Sequence, residues 1–348
     1  MLRKKVLFVS SSSADKLNVM YEAFKTHGMF DISVIYRGKI GSTYYNDTRS
    51  IVVKFLEKLG FPLDWCNQNN QVVEYCKNNN PDFIFIVKGN QIKPSTLRKI
   101  KNNNIQVKII SWSQDDMYAK HNRSYYYKWG LKYYDLVVTQ KSYNCNPDEL
   151  PKLGAKEILF QNKAYLPEIH KPCIDCSPIK TRHDVLFIGS AEIERFESML
   201  FLAKNGIQVD VYGSGWNKEC YRSKAHKNLI FHYENLINDD YSNAISCSKI
   251  SLCFLRKMNR DLQTSRSVEI PACGGFMLAE RTFEQKKMFI EGEEADFFSN
   301  NEELLKKVNI YLGSSNRRRI ISNNGRNRCL KSGYSYQDRV NEIMGTIG

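Results

Sequence analysis

Three features of the sequence predict an α/β protein built from two doubly wound domains in series. Short β-branched or aromatic runs alternate with amphipathic segments through the first 162 residues, the pattern of parallel strands covered by helices on both faces. The alternation stops between Pro167 and Pro178, a stretch with three prolines and two cysteines, and then starts again. With 348 residues, the chain is long enough for each domain to bury a core of its own. The predicted division is a first domain at 1–166, a linker at 167–183, a second domain at 184–334 and a C-terminal helix at 335–348.

In the first domain, strands are read at 5–10 (KVLFVS), 31–36 (DISVIY), 82–87 (DFIFIV), 107–112 (VKIISW), 135–140 (DLVVTQ) and 157–162 (EILFQN). Val19, Met20, Ala23 and Phe24 share one face of the segment from Leu17 to His27, which is helical spacing. The second domain offers strands at 184–190 (DVLFIGS), 207–213 (IQVDVYG), 229–233 (LIFHY), 249–255 (KISLCFL) and 276–280 (FMLAE). Helices are predicted from about Glu192 to Asn205, near Tyr241, before the Gly274-Gly275 turn, at Glu302 to Leu312, at Asn316 to Lys331 and from Ser335 to Met344.

Composition narrows the function classes. Hydrophobic residues at 42% and charged residues at 25% are globular values. The basic lead Arg3-Lys4-Lys5 precedes only the short apolar run Val6 to Val9, and no later run approaches membrane-spanning length, so a cytoplasmic protein with reduced thiols is expected. Cys173 and Cys176 form a single CxxC with no second pair to complete a zinc site, and no metal site is expected. The net charge of +14 implies an anionic partner: phosphate-bearing small molecules, anionic lipid or nucleic acid. Nucleic acid is not expected, since no aromatic-basic platform or reader motif is present.

Two stretches carry chemistry. Gly189-Ser190 ends a strand and opens a helix, with Arg195 one turn in; that is anion-binding geometry, although GSAEIER is not the GxGxxG fingerprint and a tight turn alone also explains the glycine. The second stretch runs from Arg256 and Lys257 through Asp261 and Thr264-Ser265 into RSVEIPACGGFMLAE at 266–280. Thr264 and Ser265 are good N-cap types, which places Glu269 about one turn inside a helix. A carboxylate there suits the ribose hydroxyls of a nucleotide whose diphosphate sits at the helix start; an ion pair with Arg266 on a solvated face is the other reading.

These residues, with Phe289-Ile-Glu-Gly-Glu-Glu, Phe297-Phe298 and Gly325-Arg326 near Tyr334-Ser-Tyr336, resemble the C-terminal domain of GT-B glycosyltransferases. The R-x-x-E-I-P-A-x-G-G pattern is closest to the spore-maturation-protein-like group. The resemblance implies two Rossmann-like domains facing a cleft, with the C-terminal helix crossing back to the first. It implies a nucleotide-sugar donor held mainly by the second domain through Gly189, Ser190, Arg195, Lys257, Thr264, Ser265, Arg266 and Glu269. Asp261 stands where the larger retaining family has the first glutamate of its E-x7-E pattern. Base recognition falls near His232 to Asn235. An acceptor, a glycan or lipid-linked saccharide, is held mainly by the first domain, where Asp115, Asp116 and His121 are the candidate bases and the Ser10 to Asp15 loop is a further contact; helix capping and plain solvation are the competing readings of those three residues.

Such a transfer neutralises the leaving diphosphate with Arg195, Arg266 and Lys257, without a metal or other cofactor. Arg317 to Arg319 with Arg326 and Arg328 are read as a solvated face or as a patch for an anionic membrane surface, which would make the protein peripheral at the inner face of the membrane. The implied setting is bacterial polysaccharide or glycoconjugate assembly. A nucleotide-sugar epimerase on the same fold and a non-catalytic polyanion- or membrane-binding module are the alternatives.

Overall fold

The computed structural model describes residues 3–12, 18–37, 51–174, 183–224 and 226–348. Residues 13–15 of the serine loop and Cys176 lie outside them. The chain divides into two units, Met1–Asn162 with Tyr336–Gly348, and Lys163–Ser335.

The first unit is built on β1 (Lys4–Val9), β2 (Phe30–Ile35), β3 (Phe83–Val87), β4 (Lys108–Ser113), β5 (Leu136–Thr139) and β6 (Ile158–Phe160). They form one sheet in the order β2-β1-β3-β4-β5-β6, with every pair parallel. The central strands are apolar without alternation because helices cover both faces; all of β3 is buried. The helices are α1 (Val19–His27), α2 (Ile51–Lys58), α3 (Gln68–Asn79), α4 (Pro94–Asn103) and α5 (Tyr125–Gly130). Asn18 starts α1 by accepting the Met20 and Tyr21 N–H groups on its side-chain oxygen.

The second unit repeats the plan with β7 (Val185–Ile188), β8 (Val209–Tyr212), β9 (Leu229–Phe231), β10 (Ile250–Cys253), β11 (Met277–Glu280) and β12 (Asp296–Phe298). Its order is β12-β11-β10-β7-β8-β9, again all parallel. The helices are α6 (Ile193–Lys204), α7 (Glu219–Arg222), α8 (Asn238–Cys247), α9 (Arg266–Ala272), α10 (Phe283–Met288), α11 (Asn301–Leu312) and α12 (Ser315–Lys331). Helix α13 (Tyr336–Ile347) belongs to the first unit: Gln161 donates to the Arg339 carbonyl at 2.8 Å and Gln114 to the Tyr336 hydroxyl at 2.8 Å.

The boundary falls after Asn162 rather than after residue 166, and residues 163–174 are not a free linker. The Lys163 N–H donates to Gln263 at 2.7 Å, Tyr165 to the Tyr334 carbonyl at 3.0 Å, and the Ser242 hydroxyl to the Ile169 carbonyl at 2.7 Å. Proline content marked an irregular segment, but its backbone groups are satisfied by the second unit.

The Gly274-Gly275 pair has two separate causes. Gly274 takes φ +74° to reverse the chain after α9, a conformation L side chains rarely adopt. A Cβ at Gly275 would fall 2.5 Å from Cγ2 of Ile245 and 3.2 Å from the Ile270 carbonyl oxygen, so the missing side chain lets the start of β11 pass against α8 and α9. Gly275→Ala is expected to lower stability by about 1–3 kcal/mol through overpacking, read from urea unfolding. Parent-like stability would mean that the α8 contact is loose.

Candidate functional site

Each sheet has a point where the winding reverses, and in open α/β sheets ligands bind outside the carboxyl ends of the strands there. In the second unit that point lies between β7 and β10. The chain leaves β7 through Gly189 and Ser190 into α6, and leaves β10 through Arg256 and Lys257 toward α9. The two motifs singled out in the sequence therefore meet at one place.

Arg266 fixes the meeting. Its Nε donates to the Ile188 carbonyl at 2.9 Å, at the end of β7, while its Nη groups make no hydrogen bond among the described residues. Arg195 comes from α6, 8% exposed, with Nη1 donating to the Ser190 carbonyl at 3.0 Å and Nε 3.7 Å from Glu192. Burial pushes the Arg195 guanidinium below its ordinary value, Glu192 opposes that, and the nearby positive charge of Arg266 adds to it. Arg266 is held above its ordinary value in spite of its burial, because the Tyr241 hydroxyl and Glu269 lie beside it, so both groups stay cationic where an anion would be stabilised.

Glu269 is not in a surface ion pair with Arg266. It faces inward, its side chain 15% exposed, and accepts a 2.6 Å hydrogen bond from the Tyr241 hydroxyl on Oε2. Burial and Glu269 itself hold the Tyr241 phenol well above its ordinary range, so it stays a donor. Oε1 faces Nε2 of His170 at 3.8 Å. Because His170 Nδ1 accepts the Leu166 N–H at 2.9 Å, the proton of the neutral ring lies on Nε2 and points toward Glu269. Burial lowers the His170 pKa; Glu269 works against this and Arg266 with it. The carboxylate is thus oriented from one side and keeps acceptor capacity on the other.

The remaining predicted donor residues divide. The N–H groups of Ser265 and Arg266 at the start of α9 have no acceptor among the described residues, but the expected side-chain cap is absent: Ser265 is itself in the helical region, and Ser267 Oγ accepts the Thr264 N–H at 3.0 Å. Lys257 is at the rim, paired with Glu280 at 2.8 Å. Asp261 accepts from Asn259 at 2.9 Å and from the Arg256 N–H at 3.3 Å, which closes its loop. Sequence reasoning passed over Gly213-Ser-Gly-Trp216 after β8. A Cβ on Gly213 would collide with the Gly189 carbonyl oxygen, Trp216 donates to that oxygen at 2.9 Å, and Ala191 N–H donates to the Ser214 carbonyl at 2.9 Å. Two glycines around a fully buried tryptophan were the available signal.

In the first unit the reversal lies between β1 and β3. A cavity of about 330 Å³ opens there, lined by Ser10–Ser12 after β1, by Ile86–Ile92 along and after β3, and by Arg37, Glu57 and His121–Ser124. His121 is exposed on its wall. Asp115 pairs with Lys88, a lining residue, at 2.7 Å. Asp116 is fully buried, with Oδ1 accepting from Asn144 at 2.9 Å and from the Tyr118 and Ala119 N–H groups, which is the capping role weighed against catalysis above.

The basic run of α12 does not form one patch. Arg318 donates to the Tyr311 carbonyl, Arg317 lies 5.9 Å over the Tyr311 ring, and Arg328 donates to the Met288 carbonyl at 2.9 Å. Among the cysteines, Cys247 is disulfide-bonded, which departs from the expectation of reduced thiols. No helix among the described residues is long and apolar enough to cross a membrane.

A family model described as glycosyl transferase-like matches residues 195–345, the segment that carries Arg195, Arg266 and Glu269. No curated protein sequence matches the chain. Among solved structures, a glycosyltransferase from Rickettsia africae is similar with a TM-score of 0.67 at 13% identity, over 99% of this chain and 98% of that one. An Anabaena protein in complex with UDP-glucose gives 0.63 at 11% identity, over 99% and 100%. A Listeria monocytogenes protein described as a UDP-N-acetylglucosamine 2-epimerase gives 0.61 at 12%, over 99% and 96%. At these identities the likeness is one of fold, and the fold is GT-B: two parallel-sheet, Rossmann-like α/β domains.

One cluster takes in His232, the first residue of the stretch expected to meet the base, and ties its ring to β8. Asp210 on β8 accepts from His232 Nε2 at 2.8 Å and lies 3.2 Å from His183 Nδ1, with Gln208 donating to it at 3.2 Å. Its ligand atoms lie within 4.8 Å of one another, close enough to hold a metal ion, but the hydrogen bonds satisfy the carboxylate without one. Burial works to raise the Asp210 carboxyl, yet His183, His232 and Gln208 outweigh it and bring it down to about 2. A carboxyl depressed from its ordinary value stabilises the fold fully above that value and loses the contribution as pH falls through the folded one. Asp210→Asn should therefore cost about 2 kcal/mol at neutral pH, with the gap to the parent closing between pH ~4 and ~2 in urea unfolding. A gap independent of pH would contradict the network.

Proposed function

We propose that this chain is a glycosyltransferase, related in motif to the spore-maturation-protein-like group, that moves a sugar from a nucleoside-diphosphate sugar to a hydroxyl acceptor. The observation that carries the reading is the convergence of Arg195 and Arg266 on the end of β7, with Glu269 presented one turn into α9 by Tyr241. The two guanidinium groups and the free Ser265 and Arg266 N–H groups face the diphosphate, and Glu269 accepts from the ribose hydroxyls. As the anomeric carbon–oxygen bond breaks, charge builds on the leaving diphosphate, and these fixed cations, with Lys257 at the rim, stabilise it. They supply the electrostatic role a divalent ion would otherwise take, so the reaction is metal-independent. The loop at His232–Asn235 after β9 takes the base.

The acceptor, a glycan or lipid-linked saccharide, occupies the cavity of the first unit. For an inverting transfer, a base must take the acceptor proton. His121, on the cavity wall, is the first choice and Asp115 the second; Asp116 holds the loop that positions them. The setting we assign is polysaccharide or glycoconjugate assembly in the bacterial cytoplasm, at the inner face of the membrane; the resemblance and the positive charge support it.

Calorimetric titration of UDP, GDP, dTDP and CMP tests the donor site. One nucleotide should bind the parent, and Glu269→Ala should weaken it at least roughly tenfold, the loss expected for charge-assisted hydrogen bonds. Equal binding to both proteins would remove Glu269 from the site. With the matching nucleotide sugar, free nucleoside diphosphate should accumulate only when an acceptor is supplied; release without an acceptor, or conversion of the sugar without release, favours the epimerase.

A further inference from the structure

The cavity of the first unit contains a cation that the transfer chemistry leaves unused. Arg37 in its wall is 3.3 Å from Glu57, and Lys88 is 2.7 Å from Asp115. Arg123 has no such partner: among the described residues, no carboxylate lies within ion-pair distance, and its buried Nη1 donates to nothing. Its guanidinium carbon lies 5.4 Å from the Tyr118 ring centre. The acid whose field reaches it, Asp116, already accepts from Asn144, Tyr118 and Ala119.

A partly buried guanidinium with an unsatisfied N–H is costly to the folded chain, and a ligand that supplies charge and acceptors offsets the cost. The wall around Arg123 is rich in further donors: the Ser10, Ser11, Ser12 and Ser124 hydroxyls, the Asn122 amide and the His121 ring. Some are committed, Ser124 Oγ to the Asn90 carbonyl at 2.6 Å and Asn122 to the Asp116 carbonyl at 3.1 Å, so Arg123 is the anchor. The guanidinium fork matches phosphate oxygens in pairs. A volume of about 330 Å³ takes a phosphate and part of what it is attached to.

We propose that this cavity is a phosphate subsite with Arg123 as its anchor, and that the acceptor is a phosphate ester. The acceptor half rests on the transferase reading; the subsite itself does not. The source of the phosphate is either a lipid or a soluble sugar phosphate. Gly60 and Pro62 line the cavity, Phe55 of α2 and Leu59 just after it are exposed, and Phe61 between Gly60 and Pro62 stacks on exposed Tyr125 at 4.9 Å, so a lipid belongs among the probes.

The test titrates sodium phosphate, sodium acetate and UDP into the full chain, as parent, Arg123→Gln and Arg123→Lys, with a thermal melt of each. Phosphate should bind the parent and raise its Tm, and Arg123→Gln should weaken phosphate at least roughly tenfold while leaving UDP unchanged. Ligand-free Arg123→Gln should melt no lower than the parent, because the substitution removes an unpaired charge. Should that variant not fold, Arg123→Lys keeps the charge and loses the fork, and weakened phosphate binding with a parent-like melt supports the site. Phosphate that fails to bind at millimolar concentration, binds all three proteins equally or binds no better than acetate overturns the proposal. UDP that fails to bind while phosphate still depends on Arg123 removes the transferase reading and leaves the subsite standing. Phosphatidic acid vesicles that compete with phosphate identify a lipid source, and vesicles that do not compete identify a soluble one; either result upholds the subsite.

Discussion

The hydrogen bond from Arg266 Nε to the Ile188 carbonyl is the contact on which the second unit's candidate site depends. A carbonyl at the carboxyl end of a parallel strand needs an acceptor role outside the ladder, and here an arginine at the start of a neighbouring helix supplies the donor. The contact holds α9 against the end of β7, leaves the Nη groups without a hydrogen bond among the described residues, and places Glu269 one turn further in, where Tyr241 and His170 orient it. The glycine pair then follows from packing: α9 is pulled close to the sheet, so the chain must reverse at Gly274 and pass Ile245 without a side chain at Gly275. The positive charge at the end of β7 thus comes from a tight βα turn and two arginines, Arg195 and Arg266.

In both units an arginine with unused donors lies at the reversal point of the sheet. Helix α12 is densely basic and has no acidic residue, but Arg318 and Arg328 are turned to backbone carbonyls and Arg317 to the Tyr311 ring. The unused donors at the reversal points are the Nη groups of Arg266 in the second unit and Nη1 of Arg123 in the first. Reversal points gather loop residues from strands that wind in opposite directions, so charges distant in sequence meet there at little cost to either core.

The strands were legible because a buried parallel sheet needs long apolar runs, and KVLFVS, DFIFIV and VKIISW are unambiguous as such. Elements that escaped include short ones: β12 is fully buried but only Asp296–Phe298, and α10 is a six-residue helix started by Thr282 Oγ1 accepting the Gln285 N–H. Of the candidate site, Arg195, Arg266 and Glu269 could be singled out because one contiguous motif and one strand-to-helix turn carry them. Tyr241 and His170 could not, since each reaches Glu269 only after α8 and the chain at 163–174 pack onto the second sheet. Asp116 was ambiguous for a related reason: an acidic residue after a strand is as good a loop cap as a base, and the hydrogen bonds it accepts from Asn144, Tyr118 and Ala119 are those of a cap. Arg123 gave no sign, because what sets it apart is the partner it lacks.

The most direct test of the account is a crystal structure of the chain soaked with the nucleoside diphosphate that binds it best. The account predicts the two phosphates between Arg195, Arg266 and the first turn of α9, with the ribose hydroxyls on Glu269. A nucleotide bound elsewhere, with Glu269 still held only by Tyr241 and His170, would contradict it.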